Sequence, residues 1–213
     1  MSLGLIGTKL GMTTVFNAQG QAVAVTVLEI KPNRVAQVKK ADRDGYNAVQ
    51  LAAGEKRTAP KAYAGHAAKA GIPIPAVLKE FRNPGRELNL GDAVDLSALE
   101  GITAVDVSSV SKGRGFTGVI KRWGFSRGPK THGCKAYRRP KSSGPSTTPS
   151  EVRNGKHMPG HVGAVLVTTR NLKVVNVDAE RSLLLVKGAT PGPNGGRVVV
   201  YPTGKRRRGG HKK

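Results

Sequence analysis

The stretch Ala22-Val23-Ala24-Val25-Thr26-Val27-Leu28-Glu29-Ile30 decides the fold. Both alternating sets of its positions are mainly apolar, and valine recurs at every second position from Val23 to Val27. This pattern predicts a strand that is buried on both faces for most of its length. Shorter runs of similar character, separated by turn residues, follow it along the chain and favour a small barrel or sandwich.

Around that strand we predict a mainly β protein: a small closed β-barrel with short helices and a long basic non-globular extension. Short helices are expected at Lys61–Ala70, which Pro73 and Pro75 would stop, and at Phe116–Trp123. Residues Asp178–Arg181 are expected to form a hairpin turn. The other strand candidates are Arg34–Lys39, Tyr46–Leu51, Ala93–Leu96, Ala104–Ser108, Ala164–Thr169, Leu172–Val177, Ser182–Lys187 and Arg197–Tyr201.

The net charge of +23 over 213 residues points to a polyanionic partner, with nucleic acid first and a membrane surface second. Residues 111–161 carry 12 lysines and arginines against the single acid Glu151, and residues 205–213 carry six and no acid. We therefore expect one β-barrel domain made of residues 1–125 and 162–204, with a small insertion near 55–90. An extended loop would occupy 126–161, and a basic disordered tail 205–213.

The predicted loop 126–161 has little apolar periodicity and contains five prolines and five glycines. Such a segment cannot bury enough apolar surface to order itself, so we expect it to order against RNA. A membrane-surface role would need a basic amphipathic helix, which these prolines and glycines do not allow. No apolar run approaches the roughly 18 residues of a membrane helix, and no secretory signal is expected at the N-terminus.

The run from Gly113 to Gly118 matches the pattern G-x-G-x-x-G. A dinucleotide site would also need a second parallel strand and an acid about 20 residues further on. The next acid is Glu151, and a basic loop intervenes, so we favour a tight turn that lets a phosphate chain approach its backbone.

Cys134, with His132, His157 and His161, is the other candidate for chemistry. A cysteine nucleophile needs a base and an orienting group, and zinc sites usually contain paired cysteines. Neither requirement is met, so we predict no metal, no cofactor and no enzymatic activity. These histidines are expected to bond or stack on RNA.

Tyr137 is surrounded in the sequence by Lys135, Arg138, Arg139 and Lys141, and an aromatic ring can stack on an unpaired base. Because aromatic residues make up only 4% of the chain, we expect phosphate neutralisation and shape recognition to dominate over base stacking. The predicted RNA-binding residues are Lys112, Gly113, Arg114, Gly115, Lys121, Arg122, Arg127, Lys130, His132, Lys135, Tyr137, Arg138, Arg139, Lys141, Arg153, Lys156, His157 and His161.

Several of these runs resemble the universal large-subunit ribosomal protein L3 family. The stretch from Leu99 through Gly113-Arg114-Gly115 to Arg122 resembles the family signature, and Gly4–Thr13 resembles the family N-terminus. The resemblance is colinear from about residue 4 to 201 and suits a bacterial-type member. Further matching runs are Asp44-Gly45-Tyr46, Ala48-Val49-Gln50, Gly65-His66, Ala68–Gly71, Lys121-Arg122-Trp123, Thr131-His132-Gly133, Arg138-Arg139-Pro140 and Leu184–Ala189.

The resemblance implies a structural constituent of the large ribosomal subunit with a barrel of the translation-protein type. It implies binding to 23S ribosomal RNA near its 3′ domain, support of early subunit assembly, and an extension that helps organise RNA near the peptidyl transferase centre. The implied partners are 23S ribosomal RNA and neighbouring large-subunit proteins, with no membrane and no small-molecule substrate. The expected location is the cytoplasm, with an organellar ribosome as an alternative; the alternative function is a nonribosomal RNA-binding chaperone.

The predicted tip of the extension departs from the family pattern. Many bacterial members have Gly-Gln-x-Gln-Thr-Pro there, with one glutamine methylated, whereas this chain has Gly144-Pro145-Ser146-Thr147-Thr148-Pro149. Thr147 stands where that glutamine would be, so glutamine methylation is not expected at this site.

Overall fold

The computed structural model describes residues 3–82, 85, 87–140 and 142–203. Two compact units emerge: a core unit made of Met1–Val110 and Leu166–Lys213, and a basic unit made of Ser111–Val165. The strands are β1 (Leu5–Phe16), β2 (Ala22–Glu29), β3 (Asn33–Lys39), β4 (Ala48–Glu55), β5 (Pro75–Arg82), β6 (Ala93–Val94), β7 (Ala104–Val110), β8 (Phe116–Thr117), β9 (Gly160–His161), β10 (Leu166–Asp178), β11 (Leu183–Lys187) and β12 (Arg197–Pro202); the helices are α1 (Ala41–Asp44), α2 (Lys61–Lys69) and α3 (Val119–Trp123), with a 3₁₀ turn at Leu96–Leu99.

Six strands of the core unit close into one antiparallel sheet in the order β1-β12-β7-β10-β11-β2, with β2 pairing back to β1. The apolar stretch from Ala22 forms β2, which pairs with β1 on one side and with β11 on the other. Val25 and Leu28 are fully buried, whereas Ala22 and Ala24, at the start of the strand, are exposed. The prediction of a strand covered on both faces therefore holds for its second half.

A second antiparallel sheet has the order β5-β4-β3-β6 and shares one hydrophobic core with the closed sheet. Phe81 of β5 meets Tyr201 of β12 edge to face, with ring centroids 5.7 Å apart. Buried Asn33, at the start of β3, joins the sheets through its side chain, which accepts from the Ile6 amide and donates to the Ile6 carbonyl, both at 3.1 Å. Satisfied polar bonds of this kind fix one relative placement of two packed sheets.

Helix α2 covers the second sheet through small side chains. Ala67 and Ala70 pack with Ala36, Ala52 and Ile72 in a separate buried cluster. The alanines suit a helix and also allow close approach to the sheet. Among the described residues, no helix is long and apolar enough to cross a membrane.

The prediction of a mainly β protein is confirmed, as is a helix from Lys61, and the sheets are antiparallel. Three details differ. The two strands predicted at Ala164–Thr169 and Leu172–Val177 are one strand, β10, which bends at a bulge between Thr169 and Leu172. Strands β1 and β5 were not predicted. The helix predicted at Phe116–Trp123 begins only at Val119, because Phe116 and Thr117 pair with β9 instead.

The predicted domain boundaries at 125/126 and 161/162 stay a prediction. The predicted basic tail at 205–213 lies outside the described residues, as does Lys141.

Candidate nucleic-acid interface

The two ends of the basic unit are held together by backbone hydrogen bonds. Strands β8 and β9 pair with Phe116 opposite His161 and Thr117 opposite Gly160. Beside them the Arg114 amide donates to the Val162 carbonyl at 2.8 Å. The Val162 amide in turn donates to the Gly115 carbonyl at 3.0 Å. We call these bonded segments the base of the basic unit. They fix the backbone positions of the predicted contact residues Lys112, Arg114 and His161.

Gly163 lets the chain close at this base. Its φ of +79° lies in the left-handed region, and a side chain there would overlap the Lys112 carbonyl oxygen and lie 3.0 Å from the Gly113 Cα. Glycine is the residue that fits both conditions. Close backbone approach was predicted for Gly113 and Gly115, whereas Gly163 was not predicted from the sequence.

The pattern from Gly113 to Gly118 does not form a nucleotide-binding unit. Its strand, β8, pairs antiparallel with β9, whereas a dinucleotide site requires parallel strands joined by a helix. Helix α3, which follows Gly118, has only five residues. Arg114 and Lys112 remain exposed beside the turn, so the part of the prediction that concerns phosphate approach stays a prediction.

A ring stack joins α3 to the segment that precedes β9 in the basic unit. The Trp123 indole lies parallel to the His157 imidazole, with centroids 4.0 Å apart and planes at 3°. The Trp123 Nε1–H donates to the Met158 carbonyl at 2.9 Å, and the Arg122 Nη1–H donates to the same oxygen at 2.8 Å. Arg122 and His157, both predicted to contact RNA, are thus also held by the protein, while neither Trp123 nor the Met158 carbonyl was predicted to have a positioning role.

Tyr137 lies among cations, but not the ones that are its neighbours in sequence. Arg127 Nη1–H donates to the Tyr137 hydroxyl at 3.2 Å, and the Lys130 ammonium lies 5.9 Å from the ring centroid. The Gly128 amide donates to the Tyr137 carbonyl at 3.0 Å, which closes this loop on itself. Lys135, Arg138 and Arg139 are its neighbours in the sequence, whereas the cations recorded against Tyr137 in the fold are Arg127 and Lys130.

Most of the predicted contact residues have exposed side chains without an acidic partner. Within the described part of 111–161, no lysine or arginine forms an ion pair with a carboxylate; the three ion pairs present in the described chain all lie in the core unit. An unpaired cation costs little in water and gains most when it meets a phosphate. The exposed members are Lys112, Gly113, Arg114, Gly115, Lys121, Arg127, Lys130, His132, Lys135, Arg138, Arg139, Arg153, Lys156, His157 and His161, while Arg122 and Tyr137 are half-buried.

The predicted tip residues, Gly144 to Pro149, are all exposed. Ser142 bonds locally there, donating from its hydroxyl to the Gly144 carbonyl at 2.8 Å. Cys134 is a free, half-buried thiol, and no group of three or more histidine, cysteine, aspartate or glutamate side chains in the described chain is arranged to hold a metal.

Comparisons with known proteins give one consistent result. The family model described as ribosomal protein L3 matches residues 97–201. The large ribosomal subunit protein uL3 of Alcanivorax borkumensis is 49% identical over 203 residues, covering 94% of this chain and 96% of its own. The proteins of the same name from Photobacterium profundum and Stutzerimonas stutzeri are 49% and 48% identical, covering 95% and 97% of this chain and 99% and 100% of their own.

Proposed function

The chain belongs to the ribosomal protein L3 family, and we propose that it is a structural, non-enzymatic component of the large ribosomal subunit that binds ribosomal RNA through its basic unit. The relatives are named as proteins of that subunit and match over nearly their full length. Its activity is therefore binding and positioning, and its partners are the RNA and the proteins of the subunit.

One observation carries the RNA-binding part of the proposal. Most lysine and arginine side chains of the basic unit are exposed. None of them forms an ion pair with a carboxylate within the described residues. Ordinary folded surfaces mix both signs of charge, and a one-signed surface repels itself until a polyanion neutralises it. Ribosomal RNA supplies the opposite charge at high density.

From the resemblance to the family we further propose a specific RNA partner and a role for each part of the chain. The RNA is 23S ribosomal RNA near its 3′ domain, and the protein supports early subunit assembly. The closed sheet is a barrel of the translation-protein type. Residues 126–161 form the extension that helps organise RNA near the peptidyl transferase centre, with Gly144 to Pro149 at its tip and no methylated glutamine there. The paired base around Arg114 and Val162 supports a single point of departure for such an extension.

Sedimentation tests the subunit assignment. The chain should migrate with the large subunit in a sucrose gradient and stay there through a high-salt wash, because an integral component is held by many contacts. Its appearance in the top fractions even at low salt would refute the assignment and favour the alternative, a nonribosomal RNA-binding chaperone.

Salt-dependent RNA binding tests the mechanism. The logarithm of the affinity should fall linearly with the logarithm of salt concentration, by about 0.7–0.9 per phosphate neutralised. Arg114→Gln should lower that slope by about one, whereas Arg43→Gln, an exposed cation of the core unit, should leave it unchanged. A flat salt response of the unmodified protein would refute phosphate-dominated binding.

A further inference from the structure

The hairpin formed by β1 and β2 extends beyond the closed sheet. Strand β12 pairs with β1 only as far as Thr8, opposite Arg197. Strand β11 pairs with β2 only as far as Val25, opposite Lys187. Residues 10–24, which we call the distal hairpin, include two strand segments that pair with each other beyond the end of β11, from Thr14 opposite Ala24 to Phe16 opposite Ala22.

The outer edge of β1 has no neighbouring strand along this hairpin within the described residues. The last backbone bonds on that side join Lys9 to the loop before β12, with its amide donating to the Gly196 carbonyl and its carbonyl accepting from the Gly195 amide. From Gly11 to Phe16 the strand pairs with β2 alone. An open edge of this kind presents backbone donors and acceptors that another strand can use.

The distal hairpin carries no charge in a chain whose net charge is +23. No aspartate, glutamate, lysine, arginine or histidine occurs between Leu10 and Leu28. Lys9 and Glu29 flank this uncharged run. Lys9 is 7% exposed, with its ammonium bonded to the Thr190 and Gly192 carbonyls. Glu29 pairs with Lys31 at 3.5 Å.

The same hairpin exposes large apolar side chains. Met12 and Phe16 are 52% and 69% exposed and lie on one face of β1, with Thr14 between them. Their face continues across the hairpin through Ala22, opposite Phe16, and Ala24, opposite Thr14. Leu10, at the bulge next to Met12, is 48% exposed. Natural proteins usually protect an open edge with charges, and this one has none.

We propose that the distal hairpin is a protein-docking arm, and that its partner adds an extended, weakly charged strand along the Gly11–Phe16 edge and packs apolar side chains against Met12 and Phe16. RNA is disfavoured here because phosphate binding needs cations and the hairpin offers none. A strand partner satisfies the open backbone edge and covers the apolar face together, as in strand addition to a sheet edge. This proposal rests on the proposed function in one respect: the docking partner is taken to be a neighbouring protein of the large subunit.

Site-specific photocrosslinking in growing cells tests the arm. A benzophenone amino acid at position 14 of the full-length chain reports what covers the face between Met12 and Phe16. The same amino acid at position 116, where Phe116 is 76% exposed in the basic unit, is the matched probe of RNA contact. The adducts are purified through a tag on the chain. Nuclease digestion identifies RNA adducts and protease digestion identifies protein adducts, so the docking proposal and the RNA-binding proposal are tested separately.

We expect position 14 to give one protein adduct whose crosslinked peptide is extended and poor in charged residues, and position 116 to give RNA adducts. An RNA adduct, no adduct, many heterogeneous adducts or a second copy of this chain at position 14 would each overturn the docking proposal. Loss of the RNA adduct at position 116 would count against the proposed function and leave the docking result standing.

A variant that adds positive charge distinguishes a protein partner from an RNA partner by a change in crosslinking yield. Met12→Lys combined with Phe16→Lys should lower the yield of the protein adduct at position 14 by about tenfold or more, since burying unpaired cations in an apolar contact is costly. An RNA-facing hairpin would instead bind better, and an unchanged or increased yield would overturn the proposal. Leu90→Lys, at a side chain 51% exposed in the same unit, is the control that should change nothing.

Discussion

The substitution Gly163→Ala should open the base of the basic unit. A methyl group at this position would overlap the Lys112 carbonyl oxygen and lie 3.0 Å from the Gly113 Cα. Both atoms belong to the backbone, so neither can rotate away as a flexible side chain would. The neighbouring segment at Lys112 and Gly113 must therefore move, and the hydrogen bonds that close the base lengthen or break.

The size of the effect follows from comparison with Gly115→Ala. Gly115 has a φ of +65° but open space around its Cβ position, so alanine there incurs only the left-handed penalty of about 1–2 kcal/mol. Gly163 has a φ of +79° and the overlap as well. Forced displacement of packed groups typically costs about 1–3 kcal/mol more. The excess of Gly163→Ala over Gly115→Ala corresponds to roughly 5- to 150-fold in the local opening equilibrium.

Hydrogen exchange measures this opening directly. The Arg114 and Val162 amides donate across the base, and their protection should fall by that factor in Gly163→Ala relative to Gly115→Ala. Amides of β2 in the core unit serve as the internal control and should exchange at the same rate in both variants. RNA affinity should follow the same order, because the base positions Lys112 and Arg114. Equal protection of the two amides in the two variants would refute the reasoning.

Three further predictions concern stability and local structure. In the core, Leu28→Ala should lower the free energy of unfolding, measured by urea titration, by about 2–5 kcal/mol, because the side chain is fully buried. A loss below about 1 kcal/mol would mean that the core collapses around the cavity. The hydrogen bond from the Lys39 ammonium, 2.6 Å away, holds the pKa of the Glu80 carboxyl below its ordinary value of 4.5, so this stabilisation is present above that pH and is lost as the carboxyl protonates below it. The unfolding free energy should therefore fall more steeply with acid in the unmodified protein than in Glu80→Gln, and parallel curves would contradict the pairing. His157→Ala should raise the emission of Trp123, the sole tryptophan, because an imidazole stacked 4.0 Å from the indole quenches it; unchanged fluorescence would argue against the stack.

Local pattern was sufficient for elements whose signal lies within a few residues. The alternation in β2 and the alanine-rich run of α2 predicted both elements near their observed bounds. The turn at Asp178–Arg181 was predicted from composition, and the Arg181 amide does donate to the Asp178 carboxylate at 3.0 Å. Each of these depends on neighbours in the chain, which the sequence displays directly.

Pairing over long distances explains what was missed. Strand β1 contains Gly7 and Gly11, which weaken any strand signal, and it is specified by β12, which pairs Leu5 with Val200. The bend in β10 has the same origin. Asn171 is a residue typical of turns, and its φ of +57° lies in the left-handed region. Its amide nevertheless donates to the Asp106 carboxylate at 2.7 Å, and the strand continues past it.

By itself, the sequence determined the distribution of charge, the family, the mainly β class and the set of cations that we propose bind RNA. Charge and motif are properties of residues in order, so no fold is needed to read them. The tertiary structure alone decided which partners those residues have. It placed Arg127 and Lys130 against Tyr137, stacked His157 on Trp123, required a glycine at position 163 and left the uncharged hairpin with an open edge. These features depend on distances between residues far apart in the chain, and only folding sets those distances.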